Sequence, residues 1–291
     1  MGGRSFGHWS FGEAMIEFLL APFEFEFMQR ALLGGVLVGA ICAVAGTYVV
    51  LRGLAFIGDA LAHAAFPGVV IAYLLKANIY LGALLFTLGT ALGIGFVSRR
   101  ARTSYDTTIG ILFAGAFALG VLLMSTIQGY TADLFSFLFG NILGMTGTDL
   151  VLAALLAAVV LLAVGLCYKE LLLLSFDPTV AEAMGYPVQA LNYLLLSIIA
   201  LTIVVSIQAV GVVLVVALLV TPSATAHLLT DRFSRMMALG VLLSVIAVVL
   251  GLYCSYYLNV ASGAAIVLVS TCLFFLTLGL RRLIPAPTSP R

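Results

Sequence analysis

The stretch FIGDALAHAAFPGVVIAYLL, residues 56–75, decides the fold. It is an apolar run long enough to cross a bilayer core of about 30 Å as a helix rising 1.5 Å per residue. Set into it are one carboxylate, Asp59, and one imidazole, His63. A spacing of four puts both on one helix face. An ionisable side chain inside a membrane span is expensive to keep there, and by default it marks a site or a pathway.

The rest of the chain has the composition that such a site requires. Of 291 residues, 63% are hydrophobic and only 9% charged, with a mean hydropathy of +1.23. A soluble domain carries roughly a quarter charged residues, so this is a polytopic membrane chain with no room for a large soluble domain. The net charge of +1 leaves no basic footprint for nucleic acid. Cys42, Cys167, Cys254 and Cys272 lie in or at the ends of apolar runs and form no CxxC or CxxH pair. They read as small buried hydrophobes rather than as a disulfide frame or a zinc site.

Working outward, residues 1–29 carry Glu13, Glu17, Glu24 and Glu26 among Phe, Leu and Met. This segment has neither the basic start nor the uninterrupted apolar core of a signal peptide, and with Pro22 it reads as an interfacial segment. Spans are expected at about 31–51, 54–75, 79–98, 107–127 and 150–168. The charge-poor run 191–229 suits two spans with a tight turn at 208–211, and two more follow at about 236–256 and 264–280. Residues 134–143 are too few to cross, so they read as a re-entrant helix. The Arg- and Lys-bearing loops at Arg52, Arg99–Arg102, Lys169, Arg232–Arg235 and Arg281–Arg282 are each two spans apart, and all can face the cytoplasm. The opposite loops hold only Lys76. Nine crossings result, with the N-terminus outside; eight is the alternative.

A carboxylate oxygen with an imidazole nitrogen suits a divalent first-row metal, Mn²⁺, Fe²⁺ or Zn²⁺. Two ligands are few, but a symmetric dimer would supply the pair twice. The plainer reading of Asp59 and His63 is a helix-packing hydrogen bond. Pro67, four residues after His63, frees a backbone carbonyl there. In the polar stretch 169–189, Asp177 can cap a helix that has Pro178 at its first position, and Gly185 and Pro187 end it. Ala181 and Gly185 share a face of this two-turn helix, so it reads as a docking element. The run TPSATA at 221–226 packs small and hydroxyl residues around Pro222, the hydroxyls patching backbone groups that the proline leaves unpaired. His227, near the cytoplasmic end beside Asp231, is either an interfacial histidine or an exit-side metal contact. Asp106 is placed to cap the fourth span. The sequence holds no GxxxxGK[ST] loop for ATP, and no HExxH for metal-assisted hydrolysis.

Five stretches together resemble one family: GDALAHAAFPGVV at 58–70, YDTTIGILFAGAFALG at 105–120, DLFSFLFGNILG at 133–144, DPTVAEAMG at 177–185 and ALLVTPSATAHLLTDRFSRM at 217–236. They are similar to the membrane permease subunits of bacterial ABC importers for manganese, zinc or iron, the ABC-3 family, over about residues 28–280. The resemblance implies a pair of membrane chains, here two copies of this one, bound to two cytoplasmic ATPase subunits and supplied by an extracytoplasmic metal-binding protein. It implies that Asp59 and His63 line the metal path. It also implies that the helix carrying Asp177, Ala181, Glu182 and Gly185 docks on the ATPase. The segment with Phe135, Phe137, Phe139 and Asn141 would be an external gate helix. The TPSATA–TDR version of the late motif leans towards the manganese/iron branch.

The expected protein is an all-α polytopic chain of the bacterial cytoplasmic membrane, with about nine transmembrane helices, a re-entrant gate helix and a short cytoplasmic coupling helix. It divides into an N-terminal segment 1–29, a permease domain 30–282 and a tail 283–291. It is not itself an enzyme and has no resident cofactor. Its partners are a second copy, the ATPase, the binding protein and membrane lipid, and its cargo is Mn²⁺ first, then Zn²⁺ or Fe²⁺. The rivals are a proton- or ion-coupled secondary carrier, whose internal repeats are missing because DxxxH has no second copy, and a permease for a metal chelate.

Overall fold

Backbone groups in hydrocarbon have no water to bond, so an apolar chain crossing a membrane must satisfy them within its own helices or a closed barrel. A computed structural model of the chain describes residues 21–127 and 142–283, and it takes the helical solution. The membrane-length helices are α1 (Glu26–Leu51), α2 (Ile57–Leu74), α3 (Ile79–Ala101), α4 (Tyr105–Ser125) and α5 (Gly147–Leu166). Two short helices, α6 (Tyr168–Phe176) and α7 (Pro178–Ala183), then precede α8 (Val188–Val210), α9 (Val212–Leu229), α10 (Phe233–Leu258) and α11 (Ser262–Leu283). Nine helices among the described residues are long and apolar enough to cross a membrane. The re-entrant segment expected at 134–143, with Phe135, Phe137, Phe139 and Asn141, lies outside the described residues except for a 3-10 turn at Ile142–Gly144.

Helix ends follow local chemistry. Asn78 caps α3 by accepting from the Tyr80 and Leu81 amides, and Thr146 and Asp149 form a reciprocal capping box at the start of α5. Ser104, not Asp106, caps α4: its hydroxyl accepts from the Thr107 amide, while Asp106 sits inside the first turn. The first span begins earlier than its sequence marker, Arg30, because Glu26 pairs with Arg30 one turn on and carries the helix outward. Pro22 lies in a 3-10 turn, Ala21–Glu24, just before it. The break within 191–229 narrows to one residue, Gly211, whose φ of 84° suits glycine.

Burial sorts the spans. In α1, α2 and α8, 72% of the membrane-crossing window is buried, against 22% in α4 and α5 and 17% in α11, so the first three form the centre. α1 packs on α9, α10, α8 and α5, and α2 packs on α3, α4 and α9. Small residues make these approaches possible, as is usual where helices associate in lipid. A β-carbon on Gly46 would collide with the Leu219 carbonyl of α9, and Gly68 of α2 meets the Gly82 carbonyl of α3 in the same way. Ser223 of α9 donates to the Ala43 carbonyl of α1 at 3.0 Å, beside the Gly46 contact. Thr225 bonds the Thr221 carbonyl at 2.7 Å. The hydroxyls of TPSATA therefore serve α1 and their own helix turn. Of the cysteines only Cys42 is buried, donating to or accepting from Ser206, and Cys272 is exposed on the outward helix α11.

Gly46→Ala should force α1 and α9 apart and cost about 1–3 kcal/mol by overpacking. Thermal unfolding in detergent should show a clear fall in midpoint, whereas Gly110→Ala, where a β-carbon meets open space, should match the parent. Equal midpoints for both variants would contradict the close α1–α9 contact.

Candidate intramembrane cation site

Asp59 occupies the first turn of α2 and His63 the second. His63 Nε2 lies 3.5 Å from Asp59 Oδ1. That is longer than an ordinary N–H···O hydrogen bond. It matches the separation of two ligand atoms each about 2.1 Å from one ion at a tetrahedral angle, which is about 3.4 Å. The pair is therefore spaced like two jaws on one small cation. Although α2 is among the most buried helices, the Asp59 and His63 side chains are 47% and 31% exposed, so one face of the pair is open in a single chain.

The other face is walled by α4. The His63 ring lies 5.6 Å from Phe113 and 5.5 Å from Phe117, the latter edge-on. Gly120 allows this: a β-carbon there would come within 2.6 Å of the Phe66 ring and 3.2 Å of Pro67. Phe113 is eight residues into α4, about 12 Å along the helix axis, which sets His63 well inside the bilayer. His63 Nδ1 is buried with no hydrogen-bond partner. A buried nitrogen without a partner is costly in an apolar setting. No cluster of three or more His, Cys, Asp or Glu side chains occurs among the described residues, where Asp59 and His63 stand as a pair.

Other candidate residues fall elsewhere. His227 is exposed in the last turn of α9 and is not brought together with Asp59 and His63. Asp177 caps α7 through its carboxylate, which accepts from the Thr179 and Val180 amides at 2.9 and 3.1 Å. Pro178 opens the helix and Gly185, at φ 84°, turns the chain after it. Ala181 is fully buried against its own chain. The exposed residues of this segment include Asp177, Val180, Glu182, Met184 and Gly185, so of the pair read from spacing Gly185 is open to a partner and Ala181 is not.

One further contact carries no sequence pattern. Arg52, in the turn between α1 and α2, donates from Nη1 to Asn192 Oδ1 of α8 at 2.6 Å and lies 5.7 Å over the Tyr105 ring of α4. Burial pushes its pKa below the usual arginine value, and Tyr105 offsets part of that. A charge that counted only as a topology marker is also a clamp on three helices.

Nine apolar helices among the described residues, with Asp59 and His63 set on one of the most buried of them, define a multi-pass integral membrane protein. The chain belongs to the ABC 3 transport family, whose model matches residues 24–281. It is 44% identical over 259 residues to the manganese transport system membrane protein MntC of Listeria monocytogenes, covering 89% of this chain and 92% of that one. It is 38% identical over 264 residues to a probable iron transport system membrane protein of Haemophilus influenzae, covering 91% of this chain and 97% of that one. Among solved structures it is similar to PsaBC from Streptococcus pneumoniae in complex with Fab, with a TM-score of 0.79 and 37% identity over 91% of this chain and 95% of that chain.

Asp177→Ala should remove the cap of α7, worth about 1 kcal/mol, and raise hydrogen exchange at the Thr179 and Val180 amides roughly fivefold. Asp177→Asn keeps a side-chain acceptor and should stay near the parent. Unchanged exchange in Asp177→Ala would contradict the capping geometry.

Proposed function

We propose that the chain is the permease subunit of an ATP-driven importer that passes a divalent transition-metal cation across the bacterial cytoplasmic membrane. The observation that carries this is the open, cation-sized bite between Asp59 and His63 on a membrane-spanning helix. Two ligands hold an ion loosely, as suits cargo that must also leave. The exposed face of the pair supports a second copy of the chain completing the coordination from across a two-fold axis. Phe113 and Phe117 keep water from the back of the imidazole.

Manganese is the favoured cargo, followed by zinc or iron. Relatives named for manganese and iron transport support those two metals, and the TPSATA–TDR motif leans the same way. The ligand types do not choose among them, because an oxygen–nitrogen site binds Zn²⁺ more tightly than Mn²⁺. Selectivity then rests with an extracytoplasmic binding protein that loads the outer face. ATP hydrolysis belongs to a separate pair of cytoplasmic chains, which dock on the exposed residues of the α7 segment, Asp177, Glu182 and Gly185 among them. Their movement rocks the spans and opens the Asp59–His63 site to each side in turn. The external gate is assigned to the segment with Phe135, Phe137, Phe139 and Asn141, and His227 is held as an exit-side contact.

The test is uptake of radiolabelled Mn²⁺ and Zn²⁺ by cells carrying this chain with its ATPase and binding protein. Asp59→Ala and His63→Ala should each lower uptake at least tenfold at equal expression, as should a hydrolysis-dead ATPase. Uptake that survived the dead ATPase would instead indicate a secondary carrier. Uptake unchanged in both ligand variants would remove the site.

A further inference from the structure

Where α3 leaves the membrane, three guanidinium groups crowd together. Arg99 and Arg100 lie in its last turn, and Arg102 ends the helix in the left-handed region at φ 53°. All three are exposed, and none makes an ion pair or hydrogen bond through its side chain among the described residues. With Phe96, Gln189 and Tyr193 they line one open cavity of about 580 Å³ between the end of α3 and the start of α8. Arg99, Gln189 and Tyr193 also border an adjoining cavity of about 430 Å³ that reaches Glu182 of α7. The first turn of α8 has no side-chain cap, and although the Val188 amide bonds the Tyr186 carbonyl at 2.8 Å, the helix start still adds a positive partial charge at Gln189. Three uncompensated cations in one cavity are an invitation to an anion.

The position of Phe96 says what kind. It is 58% exposed and lies three and four residues before Arg99 and Arg100, hence one turn deeper on the same face of a membrane-spanning helix. A ligand filling this place has negative charge at the arginines and an apolar tail running past Phe96 into hydrocarbon. We infer that the cleft between the end of α3 and the start of α8 binds an anionic phospholipid of the cytoplasmic leaflet, its phosphate held by Arg99, Arg100 and Arg102. The arginine fork matches phosphate oxygens in pairs, and basic pockets between spanning helices on the cytoplasmic side are suited to such headgroups. A soluble partner docked from the cytoplasm would meet the guanidinium groups but would leave Phe96 uncovered. The inference concerns lipid and does not depend on the cargo.

The test uses the full-length chain in mild detergent, supplied with equal amounts of phosphatidylglycerol and phosphatidylcholine, with retained lipid counted by native mass spectrometry. The parent should retain phosphatidylglycerol over phosphatidylcholine at least fivefold. The triple change Arg99→Gln, Arg100→Gln and Arg102→Gln should bring the ratio close to one. Because those arginines also bear on membrane orientation, Gln189→Glu serves as a second variant. It places a carboxylate in the cavity wall at a helix start that tolerates one, and should lower the ratio at least threefold. A parent ratio near one, or a ratio unchanged in both variants, would overturn the inference. Complete displacement of the lipid by excess inorganic phosphate would assign the cavity to a soluble anion instead. Arginine-dependent co-purification of another protein with the lipid ratio unaltered would assign it to partner docking.

Discussion

Everything in this protein depends on the expense of holding a carboxylate and an imidazole inside hydrocarbon. Taking such groups out of water is tolerable only where they pair, bind an ion or face a polar cavity. Asp59 and His63 are set on α2, one of the most buried helices, yet they point to the one side of it that a single chain leaves open. The closed side is fixed by close approaches at small residues. Gly120 lets α4 bring Phe113 and Phe117 to the imidazole, and Gly68 lets α3 lie against the back of α2. The pair is thus packed against aromatic rings on one side and open on the other.

A continuous run of contacts links this site to the cytoplasmic surface. α7 leads through Tyr186 and Pro187 directly into α8, whose second turn carries Asn192. Asn192 holds Arg52, and Arg52 sits in the turn that starts α2 a few residues before Asp59. Continuity of contact is not energetic coupling, which needs an element with two arrangements biased from both ends. It does give a partner at α7 a short physical route to Asp59 and His63, through one hydrogen bond and one helix start.

Much of this was legible in the sequence. The spans were readable because hydrocarbon thickness sets their length and arginines mark the cytoplasmic loops. Asp59 and His63 stood out because ionisable residues are rare in such runs, and the cap at Asp177 because Asp-Pro before a helix has a local mechanism. What escaped depends on which helices touch. Phe113 and Phe117 look like any lipid-facing residues until α4 is placed against α2. Ala181 reads as an open face only while the rest of the chain is unseen. Arg52 looks like a topology charge until Asn192, 140 positions away, is found beside it. The single-residue break at Gly211 was blurred because four residues there suit a turn equally well.

The central claim is that the imidazole of His63 is a ligand to the transported ion inside the membrane. The most direct measurement is pulsed electron spin echo spectroscopy of Mn²⁺ trapped in the assembled transporter. The account predicts a nitrogen modulation that changes isotope pattern when histidine is labelled with ¹⁵N and disappears in His63→Gln while the protein stays folded. Trapped Mn²⁺ without nitrogen coupling, or with coupling unchanged in His63→Gln, would contradict it.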